Sequence, residues 1–171
     1  QKDDELLDVV DEQNQVLRQA TRKEIHDSGL MHRAVHILVF NKHHDCLLQQ
    51  RSLLKDRHPG VWDSSAAGHL DAGEDYESAA RRELEEELGI TDTRILHLAD
   101  LPPTPDNGME HVALYAALYN GKVHFPAAEI SGVIPFPSTL IDTWLKRRPQ
   151  DFACSFAECW KIARTMLGNA E

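Results

Sequence analysis

Apolar and polar residues alternate in short runs through most of the chain and give way to helical spacing near its end. LLDVVDEQNQVLRQA sets two apolar stretches around a polar DEQN turn and predicts a hairpin over about 5–20. HRAVHILVFNKHHDCLLQQRS predicts a second hairpin, with strands Ala34–Phe40 and Cys46–Gln50 flanking the polar NKHHD. PGVWDSSAAG opens on a turn signal and predicts a short strand near 61–67. Further strands are expected at Arg94–Ala99, His111–Tyr119, Lys122–Phe125 and Gly132–Phe136. Between them, Ala80, Leu84 and Leu88 recur at every fourth position, after Asp75 as a cap and before Gly89 as a stop, which predicts a helix. Two helices close the chain over about 138–168: Ser138–Lys146, and a second around Cys154–Leu167. Phe152, Phe156, Cys159, Trp160, Ala163 and Leu167 fall on one stripe of the second, the pattern of core packing rather than of a cofactor box. Early strands flanked by helices predict the α/β class, a mixed sheet covered by helices. With no internal repeat and no Ser/Gly linker, one domain over 1–171 is expected.

The first helix carries an unusual load. GHLDAGEDYESAARRELEEELGI, residues 68–90, holds eight carboxylates. Like charges three or four apart repel along a helix, so such a cluster weakens it unless something relieves the charge. A solvated acidic face is the bland explanation. Three details point elsewhere. Arg82 stands beside Glu83 and can hold a carboxylate through two parallel hydrogen bonds. Gly68 and Gly73 bracket a stretch just before the helix, where backbone can approach something closely. Glu74 sits in that stretch, close to Glu83, Glu86 and Glu87 on one helix side. Hard cations such as Mg²⁺ demand oxygen ligands, and these glutamates offer them.

The spacing resembles a known motif. Gly68, five residues, Glu74, seven residues, then Arg82-Glu83-Leu84-x-Glu86-Glu87-x-Gly89-Ile90 fills every specified position of the Nudix box. Seven fixed identities at background frequencies of about 7% each arise by chance about once in 10⁸ starting points. The resemblance implies an α/β/α sandwich and a hydrolase that splits a diphosphate joined to another group, often a nucleoside diphosphate derivative. It implies Glu83, Glu86 and Glu87 as ligands of Mg²⁺ or Mn²⁺, with Gly68 contributing its carbonyl or allowing close approach. Arg82 would orient the glutamates.

A longer match concerns one branch. Gly29-Leu30-Met31-His32-Arg33-Ala34-Val35, LLQQRSLLKDRHPGVW and the Gly68-His69 pair look like type 1 isopentenyl diphosphate isomerase, which shares the fold but moves a proton on an alkene. That enzyme relies on a cysteine just before its Gly-His pair, and here the position is Ala67, which cannot move a proton. His32 and His69 match its metal-ligand histidines and Glu110 its downstream glutamate. A second acidic position falls on Gly108, and His26 stands near another ligand position. His36, mid-strand, reads as structural. Arg51 and Lys55 match phosphate-contacting positions, with Arg57 a weaker third. The general base of hydrolysis is expected among Glu86, Glu87, Glu110 and Glu129. Trp62, Tyr76, Tyr115 and Trp144 can either stack on a substrate or pack in the core, and Trp62 lies nearest the pocket by resemblance. The proline-broken 102–109 stretch is expected to cover the site.

Composition narrows the classes. Apolar residues make up 42% and charged residues 27%, as in a globular chain. The net charge of -10 argues against nucleic acid as a partner, though a bound cation still permits a phosphate ligand. No run of eighteen apolar residues predicts a membrane span. Three cysteines without a CxxC pair, and a start QKDDELLDVV without a basic-then-apolar leader, suggest a cytoplasmic protein. The expected partner is a small-molecule diphosphate, with a homodimer left open. Three activities stay in view: a metal-dependent diphosphate hydrolase, an isomerase with a substitute acid, and a nucleotide-binding module without turnover.

Overall fold

The computed structural model describes residues 3–55 and 58–168. The N-terminal hairpin forms as β1 (Leu6–Val10) and β2 (Val16–Thr21). Helix α1 (Arg22–Ser28) follows at once, a helix absent from the expectations above. Its signal is local: the Thr21 hydroxyl accepts the Glu24 N–H at 3.2 Å, and Gly29, at φ 64°, ends it. The hairpin and α1 share a small core of Leu7, Val9, Ala20 and Ile25.

The second hairpin is β3 (His32–Phe40) and β4 (Asp45–Arg51), antiparallel with Val39 opposite Leu47. The strand expected near 61–67 is two pieces, β5 (Trp62–Asp63) on β4 and β6 (Ala66–His69) on β3. Ser64 and Ser65 break it: the Ser65 hydroxyl bonds to the Leu47 carbonyl and accepts the Val39 N–H at 2.8 Å, filling the corner between the partners. Strands β7 (Ile95–Leu101), β8 (Glu110–Leu118) and β9 (Ile130–Pro137) complete the main sheet. Its order is β5-β4-β3-β8-β7, with β6 added on β3 and β9 on β4. β3 and β8 run parallel in unbroken register from His32–Glu110 to Phe40–Leu118, and the other pairs are antiparallel, so the sheet is mixed as expected.

Strand alternation on β3 divides the core. Val35, Ile37 and Val39 face helix α2 (Tyr76–Leu88), where Ala80, Leu84 and Leu88 meet them. Ala34 and Leu38 face α3 (Ser138–Arg147) and α4 (Phe156–Leu167), where Ile141, Phe156, Cys159, Trp160 and Ala163 close the other layer. The C-terminal stripe is therefore core packing.

Residues 122–125, expected as a strand, are irregular. The His124 N–H donates to the Leu88 carbonyl at 2.9 Å, and His124 packs against Gly89. The segment satisfies the end of α2 instead of pairing with an edge. α2 itself starts as read: the Asp75 carboxylate accepts the Ser78 N–H at 2.8 Å, and Gly89 stops it at φ 69°.

Leu84 joins α2 to the sheet with 1% of its surface exposed. Leu84→Ala is expected to cost about 2–5 kcal/mol, read as a lower urea midpoint with an unchanged slope.

Candidate functional site

α2 turns one face to the sheet and the next to a cleft of about 190 Å³. Arg82 organises that face. Its Nε and NH2 donate to the two Glu74 oxygens, both at 2.8 Å. NH1 donates to Glu83 at 2.7 Å and to Glu86 at 3.2 Å, and NH2 also reaches the His69 carbonyl at 3.0 Å. These hydrogen bonds, Glu74 first, hold the guanidinium firmly in its charged form.

Gly68 lies in β6, not in a loop, and its missing side chain is what seats Glu83. A Cβ there would run into the Glu83 carboxylate. Glu83 is buried, and burial outweighs Arg82 to push its carboxyl up to about 7. Glu87 accepts the Ala67 N–H at 2.8 Å and the Gln49 amide at 3.4 Å. Burial, then repulsion from Glu83, raises its carboxyl well above the usual range. Glu86 stays exposed. Glu83 and Glu87 are thus carboxylates that the bare protein solvates poorly, with Glu86 beside them at the surface. Hard oxygen donors, uncompensated charge and a backbone cleared of Cβ fit a divalent ion of the Mg²⁺ type.

Arg51, Lys55 and Glu129 line the same cleft, with Glu83, Glu86 and Glu87. Burial leads in lowering the Arg51 guanidinium from its ordinary value. Arg57 lies outside the described residues. Trp62 does not line the cleft. It packs edge-on against Phe136 and Trp144, at ring-centre distances of 5.3 and 5.6 Å, in an aromatic cluster with Phe152. Tyr115 is buried under α2 and Tyr76 packs beside it.

Glu110 stands apart from the box glutamates, on a second chamber of about 370 Å³. Its carboxylate meets His32 Nε2 at 3.2 Å and His69 Nε2 at 2.9 Å. Burial would raise this carboxyl, but the two imidazole hydrogen bonds outweigh it and hold it well below the usual range. His32 Nδ1 also faces the Leu30 carbonyl at 2.9 Å, so both ring nitrogens meet acceptors. One donor atom each from His32, His69 and Glu110 lies within 4.8 Å of the others, the spacing of a metal-ligand trio. The His26 ring packs against both imidazoles. His36 is structural: its ring spans Ser64 at 2.8 Å and Ser155 at 3.3 Å. The 102–109 stretch contributes Pro105 to Gly108 to this chamber, where it was expected to cover the site.

Several wall residues escaped the sequence reading, Asp63 and Arg22 among them. Asp63 lines both cavities, and burial raises its carboxyl. Arg22, on the unexpected α1, lines the second chamber. Neither has a motif. A Thr-x-x-Glu start before α1 was the available signal for Arg22.

Comparison with known proteins agrees with this geometry. A NUDIX domain model matches residues 30–150. An uncharacterized Nudix hydrolase of Pseudomonas aeruginosa is 39% identical over 130 residues, 75% of this chain and 76% of that protein. The chain belongs to the Nudix family. The crystal structure of DR0079 from Deinococcus radiodurans superposes with a TM-score of 0.77 at 25% identity, covering 94% of this chain and 98% of that one. Isopentenyl-diphosphate Delta-isomerase 2 of Photorhabdus laumondii is 41% identical over 87 residues, 51% of this chain and 49% of that protein. The isomerase likeness thus spans half of each chain, whereas the Nudix hydrolase relative extends over three-quarters.

Gly68→Ala is expected to displace Glu83 and weaken Mg²⁺ binding about tenfold or more by calorimetry, since a carboxylate moved out of line no longer ligates. A second expectation concerns pH. The Glu83 carboxyl, raised to about 7 in the fold, contributes stability below its unfolded value of 4.5 that is lost as pH rises through 7. The metal-free protein should therefore melt about 2–8 °C lower at pH 8 than at pH 5, for a contribution of about 1–2 kcal/mol. Magnesium should flatten that slope in the same melting series.

Proposed function

We propose that this Nudix protein is a divalent-metal-dependent hydrolase of an organic diphosphate, a nucleoside diphosphate derivative or another. The observation that supports it most is the meeting of three box glutamates with Arg51 and Lys55 in one cleft. Glu83, Glu86 and Glu87 would hold Mg²⁺ or Mn²⁺, with Gly68 leaving room for Glu83. When bound, such an ion screens phosphate charge and acidifies water.

The chain's own groups divide the remaining work. Arg51 and Lys55 bind the diphosphate, one as a fork and the other as a point charge. Arg82 keeps Glu74, Glu83 and Glu86 aligned through the approach of a polyanion. Glu87 is oriented at Oε1 by the Ala67 N–H. Glu129, on the same cleft, or a box glutamate takes the proton of the attacking water. Glu110 is engaged by His32 and His69 and suits a positioning or metal-holding role in the neighbouring chamber better than that of the base. At position 67, where the isomerase uses a thiol, this chain uses only a backbone N–H.

Phosphate release should be measured over a panel of nucleoside diphosphate derivatives and other organic diphosphates, with Mg²⁺ or Mn²⁺. Glu87→Gln or Glu86→Gln should lose about 100-fold or more in rate, the size of a lost transition-state electrostatic group. Wild-type rates in both variants would remove the metal assignment. Double-bond migration in isopentenyl diphosphate without phosphate release would favour the isomerase, and tight nucleotide binding without cleavage under any divalent ion the binding module.

A further inference from the structure

The acidic cleft and the second chamber share four wall residues: Arg51, Asp63, Ala67 and His69. The two cavities therefore adjoin along one wall, with Arg51 reaching both. A diphosphate held by Arg51 beside the box glutamates can direct its organic group out to solvent or toward the second chamber. At Ala67 the shared wall carries only a methyl side chain.

The chamber's lining selects what can enter. No Phe, Tyr or Trp lines either cavity, and none occurs among the residues outside the description. Trp62 is spent in the aromatic cluster. Of the four imidazoles on the chamber, His36 is held between two serines, His69 by Glu110, and His26 packs against His69, which leaves the exposed His58. A nucleobase therefore finds few rings to stack on. A prenyl chain fares no better. Its apolar contacts would be limited to small residues such as Ala34, Val61 and Ala153, set among Arg22, Asp63, Asp106 and Glu110.

Hydroxyl groups, by contrast, meet acceptors from several segments. Asp63 comes from β5, Asp106 from the Pro105–Asn107 turn and Ser155 from the approach to α4. One Asp63 oxygen takes the Ser64 N–H at 2.7 Å, which leaves the other for a ligand. A carboxylate accepts several hydrogen bonds, and neutral hydroxyls supply them without adding charge. Two guanidiniums also reach this wall: Arg51, shared with the acidic cleft, and Arg22, whose NH1 pairs with Asp3 at 3.2 Å while its Nε is buried without a partner and can donate to a ligand oxygen.

We infer that the second chamber receives the substrate's organic group, and that this group is a hydroxyl-rich, non-aromatic one, a sugar or polyol carried on the diphosphate. Asp63 accepts from the hydroxyl nearest the diphosphate. The inference rests on the diphosphate hydrolase reading and narrows its substrate class.

The test uses the full chain with Mg²⁺ and four probes: glucose 1-diphosphate, glycerol 3-diphosphate, ADP and isopentenyl diphosphate. Phosphate release reads turnover and calorimetry reads binding. At least one polyol diphosphate should exceed both other classes by tenfold or more in kcat/KM. Cys154→Phe narrows the chamber at an exposed wall residue, and Asp63→Asn weakens the acceptor. Each should lower polyol diphosphate turnover tenfold or more, and Cys154→Phe should change ADP turnover less than threefold. ADP turned over as well as the polyol compounds would overturn the substrate class and leave the hydrolase standing. Tenfold tighter polyol binding with no phosphate released would uphold the chamber's selectivity and sink the hydrolase. A polyol preference untouched by Cys154→Phe, in a variant that melts like wild type, would overturn the chamber's role.

Discussion

Five hydrogen bonds leave the guanidinium of Arg82, to Glu74 twice and to Glu83, Glu86 and the His69 carbonyl once each. They tie the stretch before α2, the helix itself and strand β6 into one rigid corner. Without that cation the carboxylates of α2 would repel one another with only water between them. With it, Glu74 is neutralised by two parallel bonds, while Glu83 and Glu86 are left partly compensated and aimed at the cleft. Burial keeps the compensation incomplete, since desolvation still raises Glu83 and Glu87. The corner is stable enough to fold and acidic enough to suit a cation.

The sheet supplies the second constraint. β3 carries both core layers on alternate residues and also brings His32 to Glu110 through its pairing with β8. Its partner β6 places Ala67, Gly68 and His69 at successive positions, one bonding Glu87, one yielding to Glu83 and one bonding Glu110. Three adjacent residues on one short strand therefore address two cavities. Alternation turns Gly68 toward Glu83 and the His69 side chain to the other face, while Ala67 reaches Glu87 through its backbone N–H.

Much of this was legible in the sequence. The box spacing, the cap at Asp75, the stop at Gly89 and the two hairpins depend on local chemistry that the chain displays directly. So does the C-terminal stripe. The Nudix box pointed to Glu83, Glu86 and Glu87 and the isomerase resemblance to Arg51 and Lys55, and the structure brings all five to one cleft. What was not legible depends on partners far along the chain. Trp62 joins its aromatic cluster because Phe136, Trp144 and Phe152 arrive there from three later segments. Asp63 becomes a wall only when β5 pairs with β4. Residues 122–125 have strand-like composition but meet the open carbonyls of α2 before any sheet edge.

The parallel pairing of β3 with β8 carries a kinetic consequence. His32 and Glu110, its first pair, stand 78 residues apart, and α2 lies wholly inside the intervening loop. Closing so long a loop costs entropy before its contacts return any, and pairings of this kind slow folding. Strands β4, β5 and β6, which wall in the glutamates of α2, pair with β3 and with one another over much shorter loops, so the long closure is required by the trio of His32, His69 and Glu110 and not by the acidic cleft. A cation held by that trio would be a guest of the native state rather than a template on the way to it.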